Sequence, residues 1–411
     1  MDQRQLTAPL FVVLLVAFSV GAVAAPASAP IPESYWANAA ILFTHAQFDA
    51  SGNLQSTALL RANLANGLVT QLTPQIAGTH YRDGRWSPSG QRIVYERASE
   101  ATRDRSQLYT MDQDGGRMRR ITPVLGLHQQ AVWGPGASIA FVDGTTNCLS
   151  VVQADGQRLR TLLCPMFDQM RFPPKWSTPH WSKNGKSVFL EVSQYYKQGL
   201  SLYLRSRVYR VNVATGHVTL LANLGESTLD YFSQERMISM QFSPNGTRGL
   251  YSQSGGGGGR IFLADFATGE QKYIDLRGAG DGASYTAKWS HDGRQIAFTH
   301  ITVELNYCKG KLDYIAYIGL YVMDADGSHV RLITKEPFLP ASQDRVVFMT
   351  VADWSSDDSR ILLNRSDSSR VENGEEYVGH PLLEVVTLAT HTTKILKSAK
   401  GKAGDGAWFQ P

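Results

Sequence analysis

One phrase recurs along this chain of 411 residues: an aromatic, a small polar turn and then an apolar strand. It runs W-S-P-S-G-Q-R-I-V-Y from Trp86, W-G-P-G-A-S-I-A-F from Trp133 and W-S-K-N-G-K-S-V-F-L from Trp181. It returns as F-S-P-N-G-T-R-G-L-Y from Phe242, W-S-H-D-G-R-Q-I-A-F from Trp289 and W-S-S-D-D-S-R-I-L-L from Trp354. A second phrase follows the first, a strand closed by Asp-Gly or Thr-Gly, as in Leu108 to Gly115, Val211 to Gly216 and Leu320 to Gly327. Each repeat therefore carries two hairpins whose turns use residues that tolerate positive φ. The intervals between the aromatics are roughly 47, 48, 61, 47 and 65 residues, the period of a repeat architecture with two enlarged units.

A four-stranded antiparallel sheet with two apolar faces cannot bury both faces by itself. Radial packing of similar sheets buries each face on a neighbour, so the pattern predicts an all-β propeller. Both ends of the chain begin or stop in mid-repeat. Ile41-Leu42-Phe43-Thr44-His45 lacks a preceding aromatic strand, and Ala407-Trp408-Phe409-Gln410-Pro411 is an aromatic strand with nothing after it. The expected solution is seven four-stranded blades, closed by the C-terminal strand completing blade 1.

The W-S-P-x-G phrase followed by I-A-F and L-Y-x-M-D-x-D-G resembles the TolB-type, WD40-like propeller repeat, from about residue 38 to 411. The resemblance implies the propeller and little more, because one fold hosts many functions. TolB itself resembles a six-bladed propeller behind an α/β domain, and the seven-blade count departs from it. Similar propellers in prolyl oligopeptidases carry a hydrolase domain, but no G-x-S-x-G occurs in this sequence.

The first 25 residues read as a secretory signal peptide: Arg4, an apolar run from Pro9 to Val20, and Ala22-Val23-Ala24 as the cleavage site. Residues 26–40 form an N-terminal extension and 41–411 a single propeller domain. The apolar run is shorter than the ~20 residues needed to cross a bilayer, so the chain is expected not to span the membrane and to be periplasmic or secreted. Export bears on the cysteines. Cys148 and Cys164 flank the Asp155-Gly156 turn almost symmetrically, which suits a cross-hairpin disulfide, although two small core side chains would give the same spacing. A net charge of +4 with no dense Lys/Arg run gives no support to nucleic-acid binding. The ten histidines include no pair at ligand spacing, and neither a metal nor another cofactor is expected.

Two sets of residues are candidates for a ligand site at the channel mouth. The residues just before the aromatics are Arg85, Val132, His180, Gln241, Lys288, Asp353 and Ala407, mostly polar. Those one place earlier are small or apolar, an alternation that turns one side of the strand to something wet. The ends of the second strands add Arg97, His300 and Arg365. The connections between second and third strands vary most, around Gln194 to Lys197, Thr302 to Asp313 and Ser366 to His380, where Tyr195 and Tyr196 offer stacking surface. The expectation is a monomeric binding or scaffold module whose loop-rich rim takes a partner protein or an envelope polysaccharide. The alternative is a carbohydrate-active lyase or hydrolase with His180 or His300 as base and Lys288 or Arg85 stabilising an oxyanion.

Overall fold

A computed structural model of the chain describes residues 17–19, 408–409 and, short connecting segments aside, 40–399. Apart from a single 3-10 turn at Pro135–Ala137, the elements described there are β-strands. They form antiparallel meanders that follow one another along the chain, over residues 40–71, 79–120, 128–163, 175–228, 236–273, 282–339 and 345–396. The first two are joined into one eight-stranded sheet by a single parallel bridge, Thr57 to His80. The architecture is that of an all-β propeller.

The recurring phrase has a local cause. In Trp86-Ser87-Pro88-Ser89-Gly90, the Gly90 amide donates to the Ser87 carbonyl at 2.8 Å, and the Ser87 hydroxyl accepts from the Arg92 amide at 3.1 Å. Ser182, Ser243, Ser290 and Ser355 repeat this pattern. The fourth position after the aromatic has φ near 70° at Gly90, Gly185, Gly246 and Gly293, which is why glycine recurs there. Asp358 takes the same place with φ 56°. The repeat at Trp133-Gly134-Pro135 departs from this pattern, and its shortened turn becomes the 3-10 segment.

The apolar cores lie between meanders rather than within them. Leu42 and Leu59 pack with Trp86, Ile93 and Tyr95, while Val94 and Leu108 pack with Ile139 and Phe141. The same arrangement joins Leu149 to Trp181, Phe189 to Phe242, Leu263 to Phe298, and Leu320 to Trp354. Ile41, Phe43 and Ala62 of the first meander share a core with Leu362, Leu383 and Val385 of the last. Burying aliphatic and aromatic side chains in this way contributes about 1.5–3 kcal/mol each, so every meander depends on both neighbours.

Two pairings bear on how the ring closes. Trp408–Phe409, expected beside Ile41, pairs instead with Ser398–Ala399. The free edge of Ala40–Phe48 is taken by Ala17–Ser19, with Phe18 opposite Ile41. In five of the other six meanders the aromatic stands opposite the first apolar residue of the next strand, as in Trp86 to Ile93 and Trp354 to Ile361, while Phe242 stands opposite Gly249. Phe18-Ser19 repeats the aromatic-Ser pair that this register position takes elsewhere. The remaining residues of the expected leader, and Ala407, lie outside the described residues.

The enlarged connections are not loops. Ser187–Gln198 pairs without interruption with Ser201–Asn212, Gln295–Cys308 with Lys311–Asp324, and Arg360–Arg370 with Tyr377–Thr387. Gln295–Cys308 has 14 residues against 8 in the ordinary second strand Arg92–Ser99. The excess of six at ~3.4 Å per residue carries this ribbon about 20 Å further. The opposite rim keeps its tight turns. In the stretch of five glycines at residues 255–259, Gly255 pairs with Gly258.

Candidate functional site

The residues preceding the aromatics are held by a repeated indole bond. Trp133 donates its indole N–H to the Arg85 carbonyl at 3.1 Å, Trp181 to that of Val132 at 3.3 Å, and Trp354 to that of Lys288 at 3.1 Å. Each tryptophan thus pins the innermost strand of the preceding meander and fixes the point from which a channel-facing side chain departs.

Four of these side chains act on one another. Lys288 is half-buried and its ammonium reaches the Gln241 Oε1 at 3.3 Å. Burial lowers its pKa, the Asp353 carboxylate works against that shift, and the Arg85 guanidinium adds to it. Arg85, Gln241, Lys288 and Asp353 therefore form one electrostatic cluster. Asp353 Oδ1 also accepts from the Trp354 amide at 3.0 Å. Its field reaches His291, which bonds Asp358 at 3.2 Å. Burial opposes the charging of His291, but Asp358 and Asp353 outweigh it and its pKa is raised.

His180 occupies the equivalent position of its own strand but turns to apolar surroundings. Its ring stacks on Phe242 with centroids 5.7 Å apart and an interplanar angle of 19°. Burial pushes its pKa down to about 4, so it is neutral at pH 7. Its Nε2 is buried without a hydrogen bond.

The three second-strand residues lie elsewhere. Strand register puts Arg85 opposite Val94, Lys288 opposite Ala297 and Asp353 opposite Leu362, close to the tight turns. Arg97, His300 and Arg365 stand opposite Tyr81, Ser284 and Met349, three residues further along in each meander. That is about 10 Å toward the ribbon-bearing rim, so the two sets do not make one mouth. Arg97 is exposed and lies over both Tyr81 and Tyr109 at 5.8 Å. His300 is buried, with Ser284 Oγ 2.9 Å from its Nδ1 and the Tyr321 ring edge-on. Arg365 is 4% exposed and donates to both Glu336 oxygens at 2.7 and 2.6 Å and to Glu384 Oε2 at 3.2 Å. Its donors serve the packing of two meanders rather than an incoming ligand.

Sequence reading missed two carboxylates. Glu96 and Glu191 are nearly solvent-free, and each sits ten places after its tryptophan. Glu96 accepts from Arg82 Nε at 3.1 Å and from the Gln130 amide of the next meander at 2.8 Å. Gln130 has φ 57° and sits where the innermost strand bulges, which frees its amide from the ladder. Glu191 bonds Ser193, Ser206 and the Met240 amide in the corresponding bulge. Thr286 does the same for Val351 at 2.9 Å. Burial raises both carboxyl pKa values, that of Glu96 to about 8, with Asp83 adding to the shift and Arg82 opposing it. The available signal was a polar residue at one repeat position, namely Glu96, Glu191, Ser252, Thr299 and Asn364.

On the ribbon rim, Tyr196 stacks on Tyr203 at 5.3 Å, Arg205 lies over Tyr196 at 4.6 Å and Lys175 over Tyr195 at 5.4 Å. Cys148 and Cys164 are joined by a disulfide across their hairpin. Among the described residues no group of His, Cys, Asp and Glu is arranged to hold a metal, and no helix is long and apolar enough to cross a membrane.

This combination of tight turns on one rim, long ribbons on the other and a polar axis is that of a propeller module. Neither a protein-family model nor a curated protein matches the sequence. Among solved structures, the chain is similar to an oligogalacturonate lyase in complex with manganese. Identity is 13% and the TM-score 0.54, over 86% of this chain and 83% of that one. It is also similar to the acylaminoacyl peptidase of Pyrococcus horikoshii, at 15% identity and TM-score 0.52. That match covers 88% of this chain but 51% of the peptidase, so the chain spans about half that protein's length. A putative TolB from Agrobacterium tumefaciens matches at 16% identity and TM-score 0.39, over 65% of this chain and 84% of that one. At such identities the likeness is one of fold.

Proposed function

We propose that this protein is an exported binding module, a seven-bladed propeller whose ribbon-bearing rim docks a partner protein or an envelope glycan. The observation that carries this reading is the asymmetry between rims. Three meanders grow long second-to-third ribbons on the same side, while the other side keeps minimal turns. Extended scaffolded hairpins with stacked tyrosines and adjacent cations are suited to recognition. The seven meanders and the core shared by the first and last support the blade count and a closed ring. Removal of residues 1–25 as a leader takes Phe18 away from Ile41 and leaves that edge to Trp408. Residues 26–40 then form a short extension before the propeller domain. A disulfide supports an oxidising compartment.

Solved relatives by fold include a lyase and peptidases, so the fold alone does not choose between binding and catalysis. The side-chain arrangement favours binding, because the expected bases are engaged elsewhere. His180 lies against Phe242, and His300 is buried beside Ser284 and Tyr321.

The test trims one ribbon. Gln194 pairs with Arg205, so replacing residues 195–204 by Asn-Gly leaves a two-residue hairpin on an intact meander. Wild type and the trimmed variant are titrated against purified envelope polysaccharide and against envelope protein extract. The expected result is saturable wild-type binding to one of them, with at least a tenfold loss on trimming. Equal binding by a folded trimmed variant would remove the rim from the mechanism.

A further inference from the structure

The Arg85 and Lys288 strands belong to meanders that do not pack on one another. The 79–120 meander shares its cores with the 40–71 and 128–163 meanders. The 282–339 meander shares its cores with 236–273 and 345–396. Arg85 and Lys288 hold the same position of the innermost strand, one opposite Val94 and the other opposite Ala297, so an interaction between their charges reaches across the ring rather than between packed neighbours. Their backbones are pinned by Trp133 and Trp354, so this approach is built into the scaffold.

What they meet there is incomplete. The Arg85 guanidinium makes no hydrogen bond among the described residues, and its Nε is closed to solvent without an acceptor. The Lys288 ammonium has Gln241, a neutral acceptor, at 3.3 Å. Asp353 is the carboxylate acting on Lys288, and one of its oxygens already takes the Trp354 amide. Two half-buried cations thus act with one carboxylate. Arginine stays charged at any physiological pH, and a half-buried guanidinium whose Nε is closed to solvent without an acceptor leaves part of its donor fork unused. An oxyanion answers both needs, because two of its oxygens match the fork while its charge balances the second cation.

The geometry points to an oxyanion-binding site on the channel axis, where a carboxylate or phosphate group is held between the Arg85 guanidinium and the Lys288 ammonium, with Gln241 beside it. This site lies toward the tight-turn end and stands or falls independently of docking at the ribbon rim. Its ligand is a small anion, or a larger molecule that presents an anionic group down the channel.

Isothermal titration and thermal-shift measurements with inorganic phosphate and with acetate, at ionic strength held constant with sodium chloride, test the assignment. The expected result is binding of one or both anions in the millimolar range or tighter, with a raised melting temperature. Phosphate alone would mark a tetrahedral ligand, and acetate alone a carboxylate. Arg85→Gln and Lys288→Gln should each weaken binding about tenfold or more, and Asp353→Asn, which removes the competing carboxylate, should tighten it. Far-UV circular dichroism identifies variants that are folded, and two cation variants guard against loss of one. Failure of both anions to bind wild type, or unchanged affinity in both folded cation variants, would overturn the site.

Discussion

Replacing Arg365 by methionine removes a buried cation on which three carboxylate oxygens converge. Glu336 is 31% exposed and can recover water, whereas Glu384 is 3% exposed and cannot. At about 3 Å and an effective dielectric of about 20, one such pair is worth about 5 kcal/mol of attraction before desolvation is counted. Breaking it by removing one partner leaves Glu384 as an isolated buried charge, at a cost of about 3–5 kcal/mol. Arg365→Met/Glu384→Leu removes both charges together and should recover most of that loss, since an apolar replacement of a whole buried pair is often neutral. Equilibrium urea unfolding followed by tryptophan fluorescence measures both variants and Glu384→Leu alone. A strong favourable coupling between the two substitutions is expected in the double-mutant cycle. If Arg365→Met stays within about 0.5 kcal/mol of wild type, or the two changes simply add, then Arg365 does not tie these meanders together. Its assignment as a ligand residue would then regain its standing.

Four further outcomes follow from named contacts. Trp354 is wholly buried and donates to the Lys288 carbonyl, so Trp354→Ala should cost about 3–5 kcal/mol and Trp354→Phe distinctly less, read by chemical denaturation. Gly134→Ala would set a Cβ 2.4 Å from the Trp181 ring and should lower stability by about 1–3 kcal/mol in the same assay. Cys148→Ala/Cys164→Ala opens a link between residues 16 apart and should destabilise by about 2–4 kcal/mol, an effect that a reducing agent reproduces on wild type. Glu96 has its folded pKa raised to about 8 from 4.5, so the folded state binds the extra proton. Its contribution is fully present below pH 4.5 and lost as pH rises through about 8, and Glu96→Gln should flatten that decline in urea midpoints measured across this range.

Much of the fold was legible because each repeat carries its own turn chemistry. Ser87, Gly90 and their counterparts dictate a hairpin from a few neighbouring residues, and the apolar strand after each shows that its faces must be covered. The long connections were misread as loops because Gln194 to Lys197 is polar, yet every residue there pairs in register with Leu202 to Arg205. Strand pairing depends on backbone bonds and a two-residue turn, and composition alone does not reveal it.

The candidate site was legible only in part. Arg85, Gln241, Lys288 and Asp353 share one repeat position, and in the structure Lys288 contacts Gln241 and feels the charges of Asp353 and Arg85. Arg97, His300 and Arg365 share another, but no sequence pattern says how far along the channel a strand position falls or which partners already hold it. Glu336 is distant in sequence from Arg365, and Glu96 reaches Gln130 only because the next meander bulges there.

The sequence by itself determined the repeating unit, its turns and the need for each meander to be covered on both faces, because those follow from local hydrogen bonding and apolar periodicity. Tertiary structure alone decided which polar groups are free and which are taken. Burial and partners depend on neighbouring meanders meeting across the ring, and that closeness in space is not written in closeness along the chain.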